Sequence, residues 1–224
     1  MRAKKTKVKK LGGNFKTKYR KNLRKWERKP QKVKFNSMFA KRLADFCRYK
    51  RKQHIYSIHL DGENAMTMRT LYKTIPKKFH NGICAINKNK KSHAKMKKSI
   101  QDIDAKCIAE RANVLDLLSD DNGIDNDGKN ICAYMDFNGM WKNTQKDSFI
   151  QLMKHYYTDK GSVIAYTLSL AKRAKRHAPT DPNTIMASMR YYAKKYNKDL
   201  SLEHSEVYGG KGGNYMFFVM WKVV

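Results

Sequence analysis

The chain has 224 residues, enough for one domain with a real core plus an appendage, and a formal net charge of +30. It has no apolar run long enough to span a bilayer and no signal-peptide core, and its cysteines, Cys47, Cys84, Cys107 and Cys132, form no C-x-x-C pair. These features argue against a membrane-spanning protein, a disulfide scaffold and a zinc module. They predict an intracellular protein, cytoplasmic or nuclear, with reduced core thiols and a polyanionic partner: nucleic acid before an anionic membrane, within a nucleoprotein assembly.

Residues 1–52 read as a basic arm, with 22 Lys and Arg against only Glu27 and Asp45. Its first fifteen residues lack apolar periodicity and are expected to be disordered when free. Aromatic residues then interleave with the charge. Phe39, Leu43 and Phe46 have helical spacing, which predicts a helix over 37–50 with Ser37 as its cap. Arg20, Arg24, Lys25, Trp26 and Arg28 are the residues expected on nucleic acid, the cations on phosphate and Trp26 stacked on a base. A solubilising tail, a nuclear-import signal or a docking arm on an acidic protein are the other uses of such a segment.

The domain proper, residues 53–224, begins with the alternating run Ile55-Tyr56-Ser57-Ile58-His59-Leu60. The turn Asp61-Gly62-Glu63-Asn64 and a helix ending before Pro76 follow. Ile83-Cys84-Ala85-Ile86 is a second strand, Asn87-Lys88-Asn89 its turn, and 92–100 a very basic helix. A third strand is expected over 105–109, then Asn113-Val114-Leu115-Asp116 and an acidic loop over 119–129. That loop fails as a calcium site: aligned on Gly128, its first position is Gly123 and its twelfth Tyr134. The histidines likewise show no metal spacing.

The fourth strand, Ile131-Cys132-Ala133-Tyr134-Met135, ends in Asp136, and Asn138-Gly139 turns the backbone. A continuous apolar run of this kind is a parallel strand covered on both faces. Ligands of open α/β sheets lie beyond the carboxyl ends of such strands, so Asp136 is a candidate site residue, the alternative being a cap for the next helix. That helix is expected over 145–157, a fifth strand over 162–168, a basic loop over 171–179 and a helix over 183–196 capped by Asp181 with Pro182 behind it. Two last strands flank Gly209-Gly210-Lys211-Gly212-Gly213 and predict an antiparallel hairpin. The fold class is α/β: a Rossmann-like, mostly parallel seven-stranded sheet ending in that hairpin, with helices on both faces.

This order of elements resembles the class I S-adenosylmethionine-dependent methyltransferases, over roughly residues 55–224. The resemblance implies S-adenosylmethionine as cofactor. It places Asp61, Gly62 and Glu63 beneath the methionine part, although the second and third glycines of the family's loop are missing. It places Asn87 (or Asn89) at the ribose, where the family carries an acid, and Asn113 or Asp116 beside the adenine. Asp136-Phe137-Asn138-Gly139 resembles, in position only, the Asp-Pro-Pro-Tyr motif of amino-methylating DNA enzymes. Methyl transfer is an in-line displacement that needs an aligned acceptor more than strong acid–base groups. Asp136, Asn138 or a nearby carbonyl would polarise an acceptor amine, and Trp141 or Phe137 would stack on a lifted base. For ribose methylation Asp136, Lys172 and Glu203 or Glu206 are placed suitably, but Asn214 stands where that family has a glutamate. Lys172, Arg173, Lys175 and Arg176 are expected on phosphate. The function expected is methyl transfer on or at nucleic acid; the alternative is an inactive scaffold that binds nucleic acid through its arm.

Overall fold

The computed structural model describes residues 30–49, 55–103, 107–119, 130–137, 139–170, 181–209 and 215–224. Its elements are α1 (Pro30–Tyr49), β1 (Ile55–Leu60), α2 (Met66–Thr74), β2 (Ile83–Ile86), α3 (Lys90–Ser99), β3 (Ile108–Glu110), α4 (Val114–Ser119), β4 (Asn130–Asp136), α5 (Thr144–Lys154), β5 (Val163–Leu170), α6 (Pro182–Lys195), β6 (Leu200–Gly209) and β7 (Tyr215–Val223). The seven strands form one sheet in the order β3-β2-β1-β4-β5-β7-β6. β1 to β5 run parallel, and β7 lies antiparallel to both β5 and β6. This is the expected architecture.

The apolar runs follow from the two covered faces. Along β4, Ile131, Ala133 and Met135 enter one core, with Phe149, Leu152, Ile185 and Met189 from α5 and α6. Cys132 and Tyr134 enter the other, with Phe35, Phe39 and Leu43 from α1, Met68 and Leu71 from α2 and Met96 from α3. The thiols of Cys47, Cys84 and Cys132 are buried and free, and burial pushes each up to about 12, which keeps them protonated.

Several boundaries differ from expectation. α1 starts at Pro30, seven residues before the expected Ser37 cap, which lies inside the helix. Proline suits a first turn because its missing N–H has no partner there anyway. Phe35 stacks on Phe218 of β7 with centroids 4.1 Å apart, and Phe39 tilts against Tyr134. Burying each such side chain contributes about 2 kcal/mol, so tertiary packing, more than the periodicity of residues 37–50, holds this basic helix in place. β3 is short and lies later than expected, at Ile108–Glu110. At α6 the sequence reading holds: Asp181 accepts from the Thr184 amide at 2.8 Å, with Pro182 in the first turn. No helix among the described residues is long and apolar enough to cross a membrane.

Candidate active site

From β1 the chain steps outward through β2 to β3, then crosses to the far side of β1 for β4 and β5. A reversal of this kind opens a crevice beyond the carboxyl ends of the two central strands. Register decides which side chains meet there. His59 pairs with Tyr134, so Asp61 and Asp136, each two residues further on, end their strands at the same level. Alternation puts both on the sheet face that α1, α2 and α3 cover, the face of Tyr134 and Cys132.

Asp61 is 9% exposed. Its carboxylate accepts from the amides of Gly62 (3.1 Å), Thr67 (3.3 Å) and Met68 (2.9 Å), which ties the turn to the first residues of α2. Burial pushes the carboxyl up to about 6, while those amides and the charge of Lys32 pull the other way. The missing glycines leave a mark: Ala65 takes the left-handed conformation, φ 48°, at a cost of roughly 1 kcal/mol for a residue with a Cβ. The network around Asp61 therefore holds a turn that glycines would adopt without strain.

The other residues expected around a cofactor are also engaged. Asn87 Nδ2 donates to the Asp61 carbonyl at 2.8 Å, and its Oδ1 accepts from the Asn89 amide at 3.0 Å. Asn89 caps α3 through the amides of Lys91 and Ser92. Glu63 pairs with Lys95 at 2.8 Å and receives the Ser92 hydroxyl at 3.4 Å. Asn113 Nδ2 donates to Asp116 Oδ1 at 3.4 Å, just beyond β3. Glu63, Asn87, Asn89 and Asn113 lie on the loops that follow β1, β2 and β3, and Asp116 lies in the first turn of α4.

Asp136 does not cap a helix. It forms an ion pair with Lys32 from the first turn of α1, the two side chains being 7% and 13% exposed. Two more pairs hold α1 along β6: Lys34 with Glu206, and Arg42 with Glu203. Beneath Asp136, the Tyr134 hydroxyl lies 3.2 Å from Thr167 Oγ1. Tyr134 is held well above the ordinary phenol range, first by burial and then by the charge of Asp136. Tyr208 is raised for the same reasons and shares the Thr167 hydroxyl. Level with Tyr134 on the neighbouring strand, His59 is fully buried, neither ring nitrogen has a hydrogen-bond partner among the described residues, and Nε2 lies 3.6 Å from Asp61. Burial pushes this imidazole down to about 3, so it is neutral.

Trp141 is corrected: at 2% exposure it is a core residue, its indole N–H donating to Ser188 Oγ at 3.1 Å, and it has no free face for a base. Phe137 is partly buried against Tyr166. Sequence reasoning missed Lys32, Thr167, Tyr208 and His59. Lys32 carries no local mark within a lysine-rich stretch, and Thr167 and Tyr208 join the site only through strand order. Asn138, the arm residues Arg20, Arg24, Lys25, Trp26 and Arg28, and the loop residues Lys172, Arg173, Lys175 and Arg176 lie outside the described residues. Among the described residues no group of three His, Cys, Asp or Glu could hold a metal ion.

A sheet ordered β3-β2-β1-β4-β5-β7-β6 with only β7 reversed, and carboxylates at the β1–β4 crevice, is the class I S-adenosylmethionine-dependent methyltransferase fold. The comparisons with known structures bear this out. A candidate sarcosine dimethylglycine methyltransferase from Galdieria sulphuraria superposes with a TM-score of 0.55 at 10% identity, over 85% of this chain and 86% of that one. Cofactor-bound Rv0187 from MTB gives 0.54 at 10% identity, over 87% and 80%. TYW2 from P. horikoshii, in complex with MeSAdo, gives 0.51 at 13% identity, over 80% of this chain; the chain spans 61% of the length of that protein. No protein-family model matches the chain, and no curated protein does.

Proposed function

We propose that the protein is an S-adenosylmethionine-dependent methyltransferase acting on nucleic acid. The observation that carries this reading is the placement of Asp61 and Asp136 side by side at the switch point of a methyltransferase-fold sheet. The chemistry of the rim suits the cofactor. Two carboxylates face one small region, and that region already holds an ammonium group, Lys32, whose charge acts on both. The cofactor's methionine part carries an ammonium and a sulfonium, the same kind of charge.

In this reading Asp61, Gly62 and Glu63 hold the methionine part, Asn87 the ribose, and Asn113 and Asp116 the adenine. When bound, the cofactor supplies an electrophilic methyl group. The work of this chain is to position the acceptor: Asp136, with Asn138, accepts hydrogen bonds from an amine and turns its lone pair toward the crevice. The closed core below, with Tyr134 and Thr167, keeps bulk water from the inner side. Arg20, Arg24, Lys25, Trp26 and Arg28, with Lys172, Arg173, Lys175 and Arg176, bind the nucleic-acid backbone.

A second reading, an inactive scaffold that binds nucleic acid, is favoured by one observation: Asp61, Glu63, Asn87 and Asp136 all have partners within the chain. Calorimetric titration of the full chain with S-adenosylmethionine separates the two. Saturable binding that is lost in Asp61→Asn supports the enzyme; a folded chain that takes up no heat at millimolar cofactor leaves the scaffold.

A further inference from the structure

Helix α3 offers a charged surface that the site does not use. Its solvent side consists of Lys90, Lys91, Ala94, Lys95, Lys97 and Lys98, all exposed, while Met96 is its buried residue. At 100° per residue the five lysines fall within about 160° of arc, with Ala94 near the middle. The helix contains no acid. Lys95 is balanced by Glu63, but Lys90, Lys91, Lys97 and Lys98 have no acidic partner among the described residues.

This arrangement is unfavourable for the free protein. Lys91 and Lys95 repel at i,i+4, and Lys95 and Lys98 at i,i+3. Lys90 and Lys91 also sit in the first turn, where the helix dipole disfavours cations. Little apolar burial compensates. Polar anchors fix the helix instead: the Asn89 cap, the Glu63 pair, and His93 Nε2 at 3.1 Å from the Ala109 carbonyl. A polyanion laid along the lysine face removes both penalties at once. The face also starts at the candidate site: Lys88 and Lys90 follow Asn87, which is bonded to the Asp61 carbonyl.

We propose that the lysine face of α3 is a docking surface for a nucleic-acid backbone, one that guides the strand to the β1–β4 rim independently of the arm. It rests on the nucleic-acid reading above and names a part of the surface that carries it. A phosphodiester backbone fits because it presents regularly spaced charges along a line, as the helix does over about 15 Å.

The test uses the full chain and two fourfold variants. One replaces Lys90, Lys91, Lys97 and Lys98 by Gln. The control replaces Lys142, Lys154, Lys194 and Lys195, exposed on the opposite helical layer, by Gln. Affinity for a labelled RNA hairpin and for duplex DNA of equal length is measured across a salt series. The α3 variant is expected to shallow the log–log slope on duplex DNA by about 3.6, at about 0.9 for each of the four lost phosphate contacts, and the control by less than 1. A melting point at or above that of the parent shows that α3 is still folded. Equal slopes in parent and α3 variant, with the parent binding, overturn the docking surface alone. Equal losses in both variants reduce it to net charge and overturn it too. A parent slope near zero removes the nucleic-acid reading itself. Equally salt-dependent binding of polyglutamate would assign the face to an acidic protein instead.

Discussion

Lys32, in the first turn of α1, is ion-paired with Asp136 at the end of β4. The pair joins the helix preceding the sheet to the centre of the candidate site, and both side chains are shielded. Lys32→Met leaves a largely buried carboxylate without this cation, and such losses cost about 3 kcal/mol. Chemical denaturation should show that loss. The double variant Lys32→Met/Asp136→Asn should recover more than half of it, because residue 136 then carries no unpaired charge, the remainder being the lost effect of Lys32 on Asp61. Additive effects would show that the two groups do not interact in solution.

His59 should make folding sensitive to mild acid. Burial pushes its imidazole from 6.5 down to about 3. The unfolded chain therefore takes up a proton below 6.5 that the folded chain refuses. Stability from this group is present above 6.5 and is lost as pH falls toward 3. The charged groups nearby are Asp61, 3.6 Å away, and Lys32, which acts on Asp61. His59→Leu removes the loss, so going from pH 7.5 to pH 5 should cost the parent about 2 kcal/mol more than the variant. At pH 7.5 the variant should be no less stable, since the ring nitrogens have no hydrogen-bond partners among the described residues. A parent that keeps its stability at pH 5 as well as the variant does would contradict this.

The central strands were legible because both faces are covered, so β4 reads as one apolar run closed by Asp136. The hairpin followed from glycine spacing, and α6 from Asp181-Pro182. The beginning of α1 was not legible from periodicity. Lys32 and Lys34 interrupt the apolar pattern, and the buried residues start at Phe35. Pro30 was the available sign, by the rule that located α6. The site divides in the same way. Asp61 and Asp136 stand at the ends of readable strands. Thr167, Tyr208 and Lys32 come from three elements that only the sheet order and the packing of α1 bring together.

Gly161 fixes the other end of α1. Its φ is 98°, and a Cβ there would run into the ring of Phe46. This position, two residues before β5, thus has to be glycine for two reasons, backbone conformation and the close approach of α1. Gly161→Ala should destabilise the chain by about 2 kcal/mol, combining left-handed strain with displacement of a packed aromatic ring. Hydrogen exchange should quicken first in α1. Uniform quickening across the sheet would mean that α1 is not separately anchored at this point.

Asp61 should oppose His59 in its pH dependence. Its carboxyl is pushed from 3.8 up to about 6, because burial outweighs the three amide hydrogen bonds and the charge of Lys32. Between those values the folded chain holds a proton that the unfolded chain has released. The contribution to stability is therefore complete below 3.8 and lost as pH rises through 6. A rise of this size corresponds to about 3 kcal/mol. Asp61→Asn keeps an oxygen for the Met68 amide and cannot ionise. Relative to the parent, the variant should gain about 2 kcal/mol between pH 4 and pH 7.5, whatever constant amount its weaker hydrogen bonds lose at both. If the parent instead gains on the variant over that range, the amides and Lys32 hold Asp61 ionised more strongly than burial opposes it, and the rim is more anionic in acid than these contacts imply.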